Sequence, residues 1–351
     1  MSDETRSDTS GDTSADPSRD TNWNSWHLHL ASADRAVADR VVTDVLGPAV
    51  AGLPSGSWFF VRYWQAGPHL RLRVRDLDEA GARRLRAGLT DRLAEAGALR
   101  DGEDPLDPER FAGQSRRLAA AGEGGVPVEE RELLPPGVHP SPYVPEEERY
   151  GGAAHMAASE ALFGTSSELC LAFLRARPSD RARSGLALRA VACAASLLDA
   201  PRFAAFGAAS WREWAGRAGY PEAALRAVDA ECAAAAERLA AAGRDPLAEG
   251  AAAGALGPLR AWRESLAENV VERHDPADPR TARVVFSHVH MLHNRLGLST
   301  LDELRGYLLL AGSASASASA SASASPSTSS PISLPSPSLP SPSLPTAART
   351  A

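Results

Sequence analysis

The sequence contains no lysine, so its 37 basic residues are all arginines, and it has only three cysteines. Cys170, Cys193 and Cys232 lie in alanine-rich segments without the spacing of a metal or redox motif. This scarcity excludes a disulfide framework and predicts buried, reduced thiols in a cytoplasmic protein. Because arginine replaces lysine throughout, the placement of the arginines is more informative than their number.

Long apolar runs are also missing. No segment is apolar over the length needed to cross a bilayer, and the acidic N-terminus lacks the basic-then-apolar pattern of a secretory signal. We therefore predict a soluble cytoplasmic protein without a membrane partner. The formal net charge of −7 argues against broad nucleic-acid binding, so no direct nucleic-acid partner is expected.

The composition divides the chain into three parts. Residues 1–21 are polar and rich in serine, aspartate and threonine, which predicts a disordered N-terminus. Residues 313–351 form an Ala-Ser repeat followed by Ser-Pro-Leu repeats, a low-complexity tail that cannot bury a core. Residues 22–312 are enough for one large domain or two small ones, and we treat them as one domain.

The pattern of apolar residues predicts an α+β fold, with a small antiparallel sheet in the N-terminal half packed with a mainly helical C-terminal half. Strands are predicted at 26–30, within 58–75 and at 126–134. Helices are predicted at 32–50, 77–97, 109–121, across 180–275, at 284–296 and from a Ser299–Asp302 cap to a point before Gly312. A capping box at Thr165–Glu168 predicts the start of a further helix.

The segment 58–75, WFFVRYWQAGPHLRLRVR, is the most informative part of the chain. It predicts two strands joined by a short turn at 65–68, with Trp64 paired to His69. In that register one face carries the core residues Phe59, Val61, Tyr63, Leu70, Leu72 and Val74. The other face carries Trp58, Phe60, Arg62, Trp64, His69, Arg71, Arg73 and Arg75, with Arg62 directly opposite Arg71.

A sheet face that combines guanidinium groups with aromatic rings indicates an anion-binding surface. Like charges opposite each other repel, whereas the guanidinium fork matches carboxylate or phosphate oxygens through two parallel hydrogen bonds. Arg71 and Arg73 project from one side of a strand about 7 Å apart, which suits a ligand with two carboxylates. The alternative is a solvated face, or arginines paired with the glutamates of 146–148.

A second cluster is the segment 288–295, HVHMLHNR, which holds three of the nine histidines. On a helix, His290, His293 and Asn294 share one side. A histidine near its ordinary pKa is a suitable general acid or base. A metal site lacks a third ligand or an HExxH pattern in this segment, so no metal is predicted. A proton-transfer role and a purely structural role for these histidines both stay open.

A third motif is the segment 149–152, RYGG. Paired glycines allow close backbone approach and positive φ angles, so Arg149 and the backbone beside it can close over a ligand. Arg149 can equally pair with a neighbouring glutamate. The sequence has no Walker loop, GxGxxG, GxSxG or CxxC pattern, so the common nucleotide-binding and hydrolase functions lack support.

Three segments in this order resemble the C-terminal domain of class I lanthipeptide dehydratases: WFFVRYWQAGPHLRLRVR, then YVPEEERYGG with the following FGTSS, then HMLHNRLGL. The same domain occurs alone as the thiopeptide-type bacteriocin biosynthesis protein. The resemblance runs from about Trp23 to Gly312. In that family an upstream domain uses glutamyl-tRNA to glutamylate Ser or Thr of a precursor peptide. The C-terminal domain then eliminates glutamate, leaving dehydroalanine or dehydrobutyrine.

The resemblance implies roles for individual residues. The paired arginines of the family's HLRLR strand match Arg71 and Arg73, its RYGG arginine matches Arg149, and its essential histidine most nearly matches His290. It implies a lyase that needs no metal or organic cofactor. The predicted catalytic residues are Arg73 and His290, and the predicted substrate-binding residues are Arg62, His69, Arg71, Arg149 and His293.

The resemblance also implies partners. The chain has no room for a glutamylating half, so we expect a separate glutamyl-tRNA-dependent subunit and a ribosomally made precursor peptide as substrate. Stand-alone members of the fold also include thiopeptide pyridine synthases, which join two dehydroalanines by a formal 4+2 cycloaddition and release the leader peptide. A non-catalytic peptide- or RNA-binding module is the third interpretation. The arginine set favours elimination, and whether the chain forms a homodimer stays open.

Overall fold

The computed structural model describes residues 23–122, 126–275 and 278–322. Within these ranges the chain adopts the predicted α+β fold, with the sheet in the N-terminal half. All strand pairs are antiparallel, and the strand order in the sheet is β2-β3-β1-β4. The strands are β1 (Trp23–His29), β2 (Trp58–Tyr63), β3 (His69–Arg75) and β4 (Gly137–Pro140).

Helices make up most of the remainder. A π-helical turn (Val42–Leu46) joins the first two helices, and a second one (Ala267–Val271) lies in the C-terminal half. The α-helices are α1 (Arg35–Val41), α2 (Gly47–Ala49), α3 (Glu79–Ala96), α4 (Pro108–Ala121), α5 (Ala153–Arg175), α6 (Asp180–Ala195), α7 (Ala200–Arg217), α8 (Glu222–Ala241), α9 (Pro246–Leu256), α10 (Arg260–Leu266), α11 (Pro279–Leu296) and α12 (Thr300–Ala322). A 3₁₀ turn (Glu147–Tyr150) precedes α5.

The register of β2 and β3 differs by one residue from the prediction. Tyr63 pairs with His69, so residues 64–68 all lie in the turn. A shift of one residue exchanges the two faces of a strand, and the predicted contact between Arg62 and Arg71 does not form. The face of Arg71 and Arg73 carries Phe59, Val61 and Tyr63, whereas Trp58, Phe60 and Arg62 lie on the opposite face.

The turn explains the shift. Ala66 and Gly67 have φ angles of 62° and 115°, a wider turn than the sequence pattern suggested. The amide of Leu134 donates to the carbonyl of Ala66 at 2.9 Å, so the segment 126–134 runs beside this turn. The strand predicted at 126–134 is wrong, because this proline-flanked segment supplies only an isolated bridge and the fourth strand follows it at β4.

One face of the sheet is buried in the main core. Its members join α3 residues such as Leu89 and Leu93 in one apolar cluster. The outer edge of β2 is covered by helices: the amide of Phe60 donates to Ser167 Oγ of α5 at 3.1 Å. This leaves the other face, which carries Arg71 and Arg73, free to form a site bounded by α5 and α11.

Two predicted helix ends are wrong. Thr165 does not start a helix, because α5 already begins at Ala153 and the Thr165 hydroxyl donates back to the carbonyl of Ala161. Helix α12 continues to Ala322 rather than ending before Gly312, as its alanines favour helix. The predicted disordered N-terminus and the tail after residue 322 lie outside the described residues.

Two further predictions are confirmed. Cys170, Cys193 and Cys232 are buried and unpaired. Ser299 and Asp302 cap α12 reciprocally, since the Asp302 amide donates to Ser299 Oγ and the Ser299 amide to the Asp302 carboxylate. Among the described helices, none combines the length and the apolar character that a membrane crossing requires.

Candidate active site

Arg73 lies on β3, on the face of the sheet opposite the main core. Its Cα partners are Phe59 on β2 and Ser25 on β1. Its guanidinium carbon is 4.7 Å from the ring centroid of Tyr143 and 5.3 Å from that of Phe59. Only 8% of Arg73 is exposed, and its buried Nε has no hydrogen-bond partner among the described residues. Burial, with help from Arg71, lowers the pKa of Arg73 to about 10, so the group stays charged at neutral pH.

A carboxylate fixes the ring that covers Arg73. The hydroxyl of Tyr143 donates to Glu160 Oε1 at 2.9 Å, and Trp23 Nε1 donates to Glu160 Oε2 at 3.2 Å. Burial raises the pKa of the Tyr143 hydroxyl, and the charge of Glu160 raises it further. Tyr143 therefore stays a neutral donor, and α5, which carries Glu160, determines the position of the aromatic wall.

Arg71 lies two residues before Arg73 on the same face, as predicted. Its guanidinium carbon is 3.4 Å from the ring centroid of Tyr63, and its Nε–H donates to Nε2 of His69 at 3.3 Å. His69 is buried at 2% exposure on this same face. Stacking on one side and the hydrogen bond on the other hold the guanidinium in a single orientation.

Arg149 reaches the site from the 3₁₀ turn before α5. Its Nη1 donates to Glu146 Oε2 at 2.9 Å, and its Nε lies 3.4 Å from Ser287 Oγ of α11. The predicted glycine pair behind it has the expected backbone, with φ angles of 90° at Gly151 and 99° at Gly152. A Cβ at Gly151 would lie 2.7 Å from a ring nitrogen of His274, so glycine is also required sterically.

The carboxylate of Glu146 is surrounded by positive charge. Burial by itself would raise its pKa, but Arg149, then Arg73 and Arg71, hold the pKa below the ordinary value. The side chain is nevertheless 41% exposed, so one side of the carboxylate faces solvent. Arg149 therefore contacts this carboxylate directly, and the two arginines of β3 influence it through their charge.

The three histidines of α11 have different environments. His288 is fully buried against the rings of Tyr150 and Phe163, and burial followed by the charges of Arg295 and Arg149 lowers its pKa to about 3. It is neutral at physiological pH. Such a group is a weak base with no access to solvent.

His290 and His293 share one carboxylate on α12. Nδ1 of His290 donates to Glu303 Oε1 at 2.9 Å, and Nδ1 of His293 lies 3.0 Å from Glu303 Oε2. Burial would raise the pKa of Glu303, but His290 and then His293 hold it below its usual range. The second nitrogen of His293 faces the carbonyl of Ala187 at 3.1 Å, whereas the side chain of His290 is 24% exposed.

Asn294 and Arg295 attach the histidine-bearing helix to the sheet. The side-chain amide of Asn294 pairs with the backbone N–H and C=O of Arg62, both at 2.9 Å, in the manner of an additional strand. Nε of Arg295 donates to Ser167 Oγ at 2.9 Å. His290 lies three residues after Ser287 and four residues before Asn294 on α11, so these side chains share one side of the helix. Ser287 contacts Arg149, Asn294 contacts the edge of β2, and His290 lies between them.

Arg62, a predicted substrate-binding residue, lies away from Arg71 and Arg73. Its Nη2 forms a salt bridge with Asp39 at 2.5 Å, and its Nε donates to the carbonyl of Arg295 at 3.1 Å. Asp39 also accepts from Arg183 at 2.6 Å. The structure thus brings together Arg71, Arg73, His69 and Arg149, but it separates Arg62 and encloses His293.

Comparison with known protein families identifies the family of this chain. The profile of the family described as lantibiotic biosynthesis dehydratase C-term matches residues 23–314. The chain belongs to this family. The lantibiotic dehydratase C-terminal family acts in the maturation of ribosomally made peptides, so the chain is a biosynthetic protein of that kind. No curated protein matches the sequence.

TbtD and TsrL are solved structures that share the fold. The pyridine synthase TbtD from thiomuracin biosynthesis is 19% identical with a TM-score of 0.65, over 85% of this chain and 98% of that chain. TsrL is 17% identical with a TM-score of 0.52, over 82% and 93%. The tRNA-dependent lantibiotic dehydratase MibB from Microbispora sp. 107891 is 21% identical with a TM-score of 0.46, over 86% of this chain and 28% of that chain.

Several residues of this family member were missed by the sequence analysis. Glu303 has no motif signal, since it lies on a different helix from the histidines that it contacts. Tyr143 and Glu160 are also separated from the arginines in sequence. The pairing of Arg149 with a neighbouring glutamate was one of the two predictions for the RYGG motif, and Glu146, three residues before Arg149, forms it at 2.9 Å.

Proposed function

We propose that the chain eliminates glutamate from glutamylated serine or threonine of a ribosomally made precursor peptide, forming dehydroalanine or dehydrobutyrine. A separate glutamyl-tRNA-dependent partner supplies the glutamylated peptide. One observation carries the proposal: Arg149 donates to the carboxylate of a glutamate side chain, Glu146, at 2.9 Å, and the charges of Arg73 and Arg71 also lower the pKa of that carboxyl. A guanidinium that already binds a glutamate carboxylate, with two further arginines close enough to influence it, is matched to a glutamate leaving group.

The reaction starts with removal of the Cα proton of the glutamylated residue. His290 is the base, because Glu303 engages its Nδ1 and leaves the lone pair on Nε2. The electron pair of the C–H bond forms the Cα=Cβ double bond while the Cβ–O bond breaks. Glutamate departs as a carboxylate, and His290 passes its proton to solvent or to the product.

The arginines stabilise the negative charge that develops. Arg73 and Arg71 interact with the peptide carbonyl as the Cα proton leaves, and the buried setting under Tyr143 strengthens the attraction relative to water. Arg149 exchanges Glu146 for the distal carboxylate of the substrate glutamate. The exposed side of Glu146 gives that side chain room to move toward solvent.

A defined substrate tests the proposal without the partner subunit. The purified chain is incubated with a peptide that carries one glutamylated serine, and the mass spectrum is followed over time. Loss of one glutamic acid and formation of dehydroalanine are expected. A peptide that keeps its glutamyl group, under conditions in which the protein is folded and binds the peptide, would refute elimination.

Pyridine synthesis is the second candidate function, because a stand-alone chain of this fold, TbtD, carries that name. The same protein is offered a peptide with two dehydroalanines, and release of the leader segment is monitored. Elimination predicts activity only on the glutamylated peptide. Leader release without glutamate loss would replace our proposal with pyridine synthesis.

A further inference from the structure

Three histidines from two neighbouring strands form a cluster beside the arginines. His27 and His29 alternate on β1, so both side chains project from the same face of the sheet. His69 is the Cα partner of His29 on β3, which puts a third imidazole on that face. Two histidines spaced by one residue on a strand, with a third on the adjacent strand, can converge on one ion.

The donor atoms are close to coordination distance. One ring nitrogen from each histidine can be chosen so that all three lie within 4.8 Å of one another. In a tetrahedral zinc site with Zn–N bonds of 2.0–2.1 Å, ligand nitrogens are about 3.3 Å apart. The rings of His27 and His29 stack on that of His69, with centroids 4.7 and 4.4 Å apart and interplanar angles of 24° and 21°, so the rings must turn out of this stack for the three nitrogens to reach one ion.

The polar groups of this cluster lack a complete set of partners. His29 is 1% exposed, and neither ring nitrogen has a hydrogen-bond partner of normal geometry among the described residues, although the backbone of Ala66 interacts with the ring. Buried polar atoms are nearly always satisfied, so at least one nitrogen of this ring has room for a further partner. A Cβ at Gly67 would lie 3.3 Å from Nδ1 of His29, so glycine keeps the space beside the ring open.

The hydrogen bonds of His69 fix a tautomer that suits a metal ligand. Its Nδ1 donates to the carbonyl of Gly67 at 2.9 Å, which leaves the lone pair on Nε2. A backbone carbonyl on the far nitrogen is the usual support of a metal-binding histidine. Nε–H of Arg71 donates to that lone pair at 3.3 Å, and metal binding would require Arg71 to release it.

The charges beside the cluster come from β3, where Arg71 is the Cα partner of His27 and Arg73 that of Ser25. Neutral imidazole is the form that binds metals. Arg71 and Arg73 weaken the attraction for a dication, yet they also attract an anion that can fill the fourth position.

We propose that His27, His29 and His69 bind one divalent transition-metal ion of the Zn²⁺ class, with an open fourth position that faces Arg71 and Arg73. Borderline-soft ions prefer imidazole, which distinguishes this class from Mg²⁺ and Ca²⁺. Fewer than four protein ligands is the pattern of a zinc site that keeps a position for an exchangeable ligand. The cluster shares its sheet face with Arg71 and Arg73, but its test measures metal binding alone, so the result does not depend on whether the chain eliminates glutamate.

The test uses the tag-free full chain and metal alone. Apo protein is titrated with Co²⁺, and the intense visible bands of four-coordinate cobalt are recorded; Zn²⁺ is then added to displace them. One ion per chain is expected for the wild type. His27→Ala should weaken binding at least about 100-fold, because changes to residues that merely support a ligand already cost 10- to 100-fold.

Two controls keep the result interpretable. His155→Ala removes a histidine that stacks on His274 outside the cluster and should leave the cobalt spectrum unchanged. His69→Gln should lose binding like His27→Ala, with far-ultraviolet circular dichroism checking that both variants fold. Absence of stoichiometric binding in the wild type, or equal binding in His27→Ala, would overturn the site.

Discussion

Arg62 and Arg73 belong to one hairpin but have opposite surroundings. Arg62 forms a salt bridge with Asp39 and donates to a backbone carbonyl, so its charge is compensated. Arg73 is also inaccessible, yet its guanidinium lies against the rings of Tyr143 and Phe59, and its buried Nε has no partner among the described residues. A buried charge without a direct ion pair costs stability. The contacts of Arg62 are thus those of a structural residue, whereas the surroundings of Arg73 fit the substrate-contacting role that we propose for it.

The contrast extends to the two faces of the sheet. The face of Arg62 joins the main core, and its polar groups are satisfied by helices α1 and α11. The face of Arg73 carries arginines and histidines with incomplete hydrogen bonding. Substitutions on the two faces should consequently separate stability from activity.

The largest expected effect is the loss of activity in Arg73→Ala. Removing one preorganised group that stabilises transition-state charge costs about 100- to 1,000-fold, and Arg73 is the most buried cation of the site, so we expect about 1,000-fold. Glutamate release is measured as kcat with a glutamylated peptide. The free energy of unfolding should stay equal or increase, because an unpaired charge leaves the interior.

Arg75→Ala is the matched control for Arg73→Ala. Arg75 lies two residues further along β3 on the same face, but its side chain is 41% exposed and pairs with Asp76. We expect its kcat to stay within about threefold of the wild type, since surface pairs contribute little. Equal losses in the two variants would show that general charge, rather than the buried position, matters.

The next effect concerns the base. His290→Asn should reduce kcat by about 100- to 1,000-fold, the range for loss of a general base. Glu303→Gln keeps the shape but removes the carboxylate on Nδ1, so it should lower kcat less than His290→Asn does. If His290→Asn kept the full rate and His288→Asn were inactive, His288 would be the base instead of His290.

Much of the fold follows from local sequence patterns. The strand pair around 58–75 and the helix of 284–296 were predicted because their periodicity is strong and their ends carry turn or cap signals. The placement of Arg71 and Arg73 on one side followed from strand alternation alone. These features depend on residues that are close in sequence.

The features that the sequence could not predict depend on distant residues. The hairpin register depended on a turn that is held by the amide of Leu134, and a one-residue error moved Arg62 to the wrong face. The histidine cluster required the pairing of β1 with β3, which brings His29 to His69. Glu303 became part of the site only through the packing of α12 on α11.

A smaller effect is expected on the opposite face. Arg62→Ala removes one side of a buried salt bridge, but Asp39 keeps Arg183 as a partner, so the loss in free energy of unfolding should be about 2 kcal/mol rather than the 3–5 kcal/mol of a fully orphaned charge. Urea denaturation measures it. The folded fraction should keep kcat within about threefold of the wild type. A catalytic loss like that of Arg73→Ala would contradict the separation of the two faces.

The smallest expected effect is a change in the pH dependence of stability. The pKa values of His69, His29 and His27 are lowered to about 2, 4 and 3, so below the unfolded value of 6.5 only the unfolded chain binds these protons. Stability is therefore full above about pH 6.5 and falls as the pH decreases. In metal-free buffer with a chelator, His69→Gln should reduce the slope between about pH 6 and pH 4.5 by up to about 1.4 kcal/mol per pH unit. Identical slopes would mean that His69 is protonated in the folded protein. The two faces of the sheet would then differ less than the burial of His69 indicates.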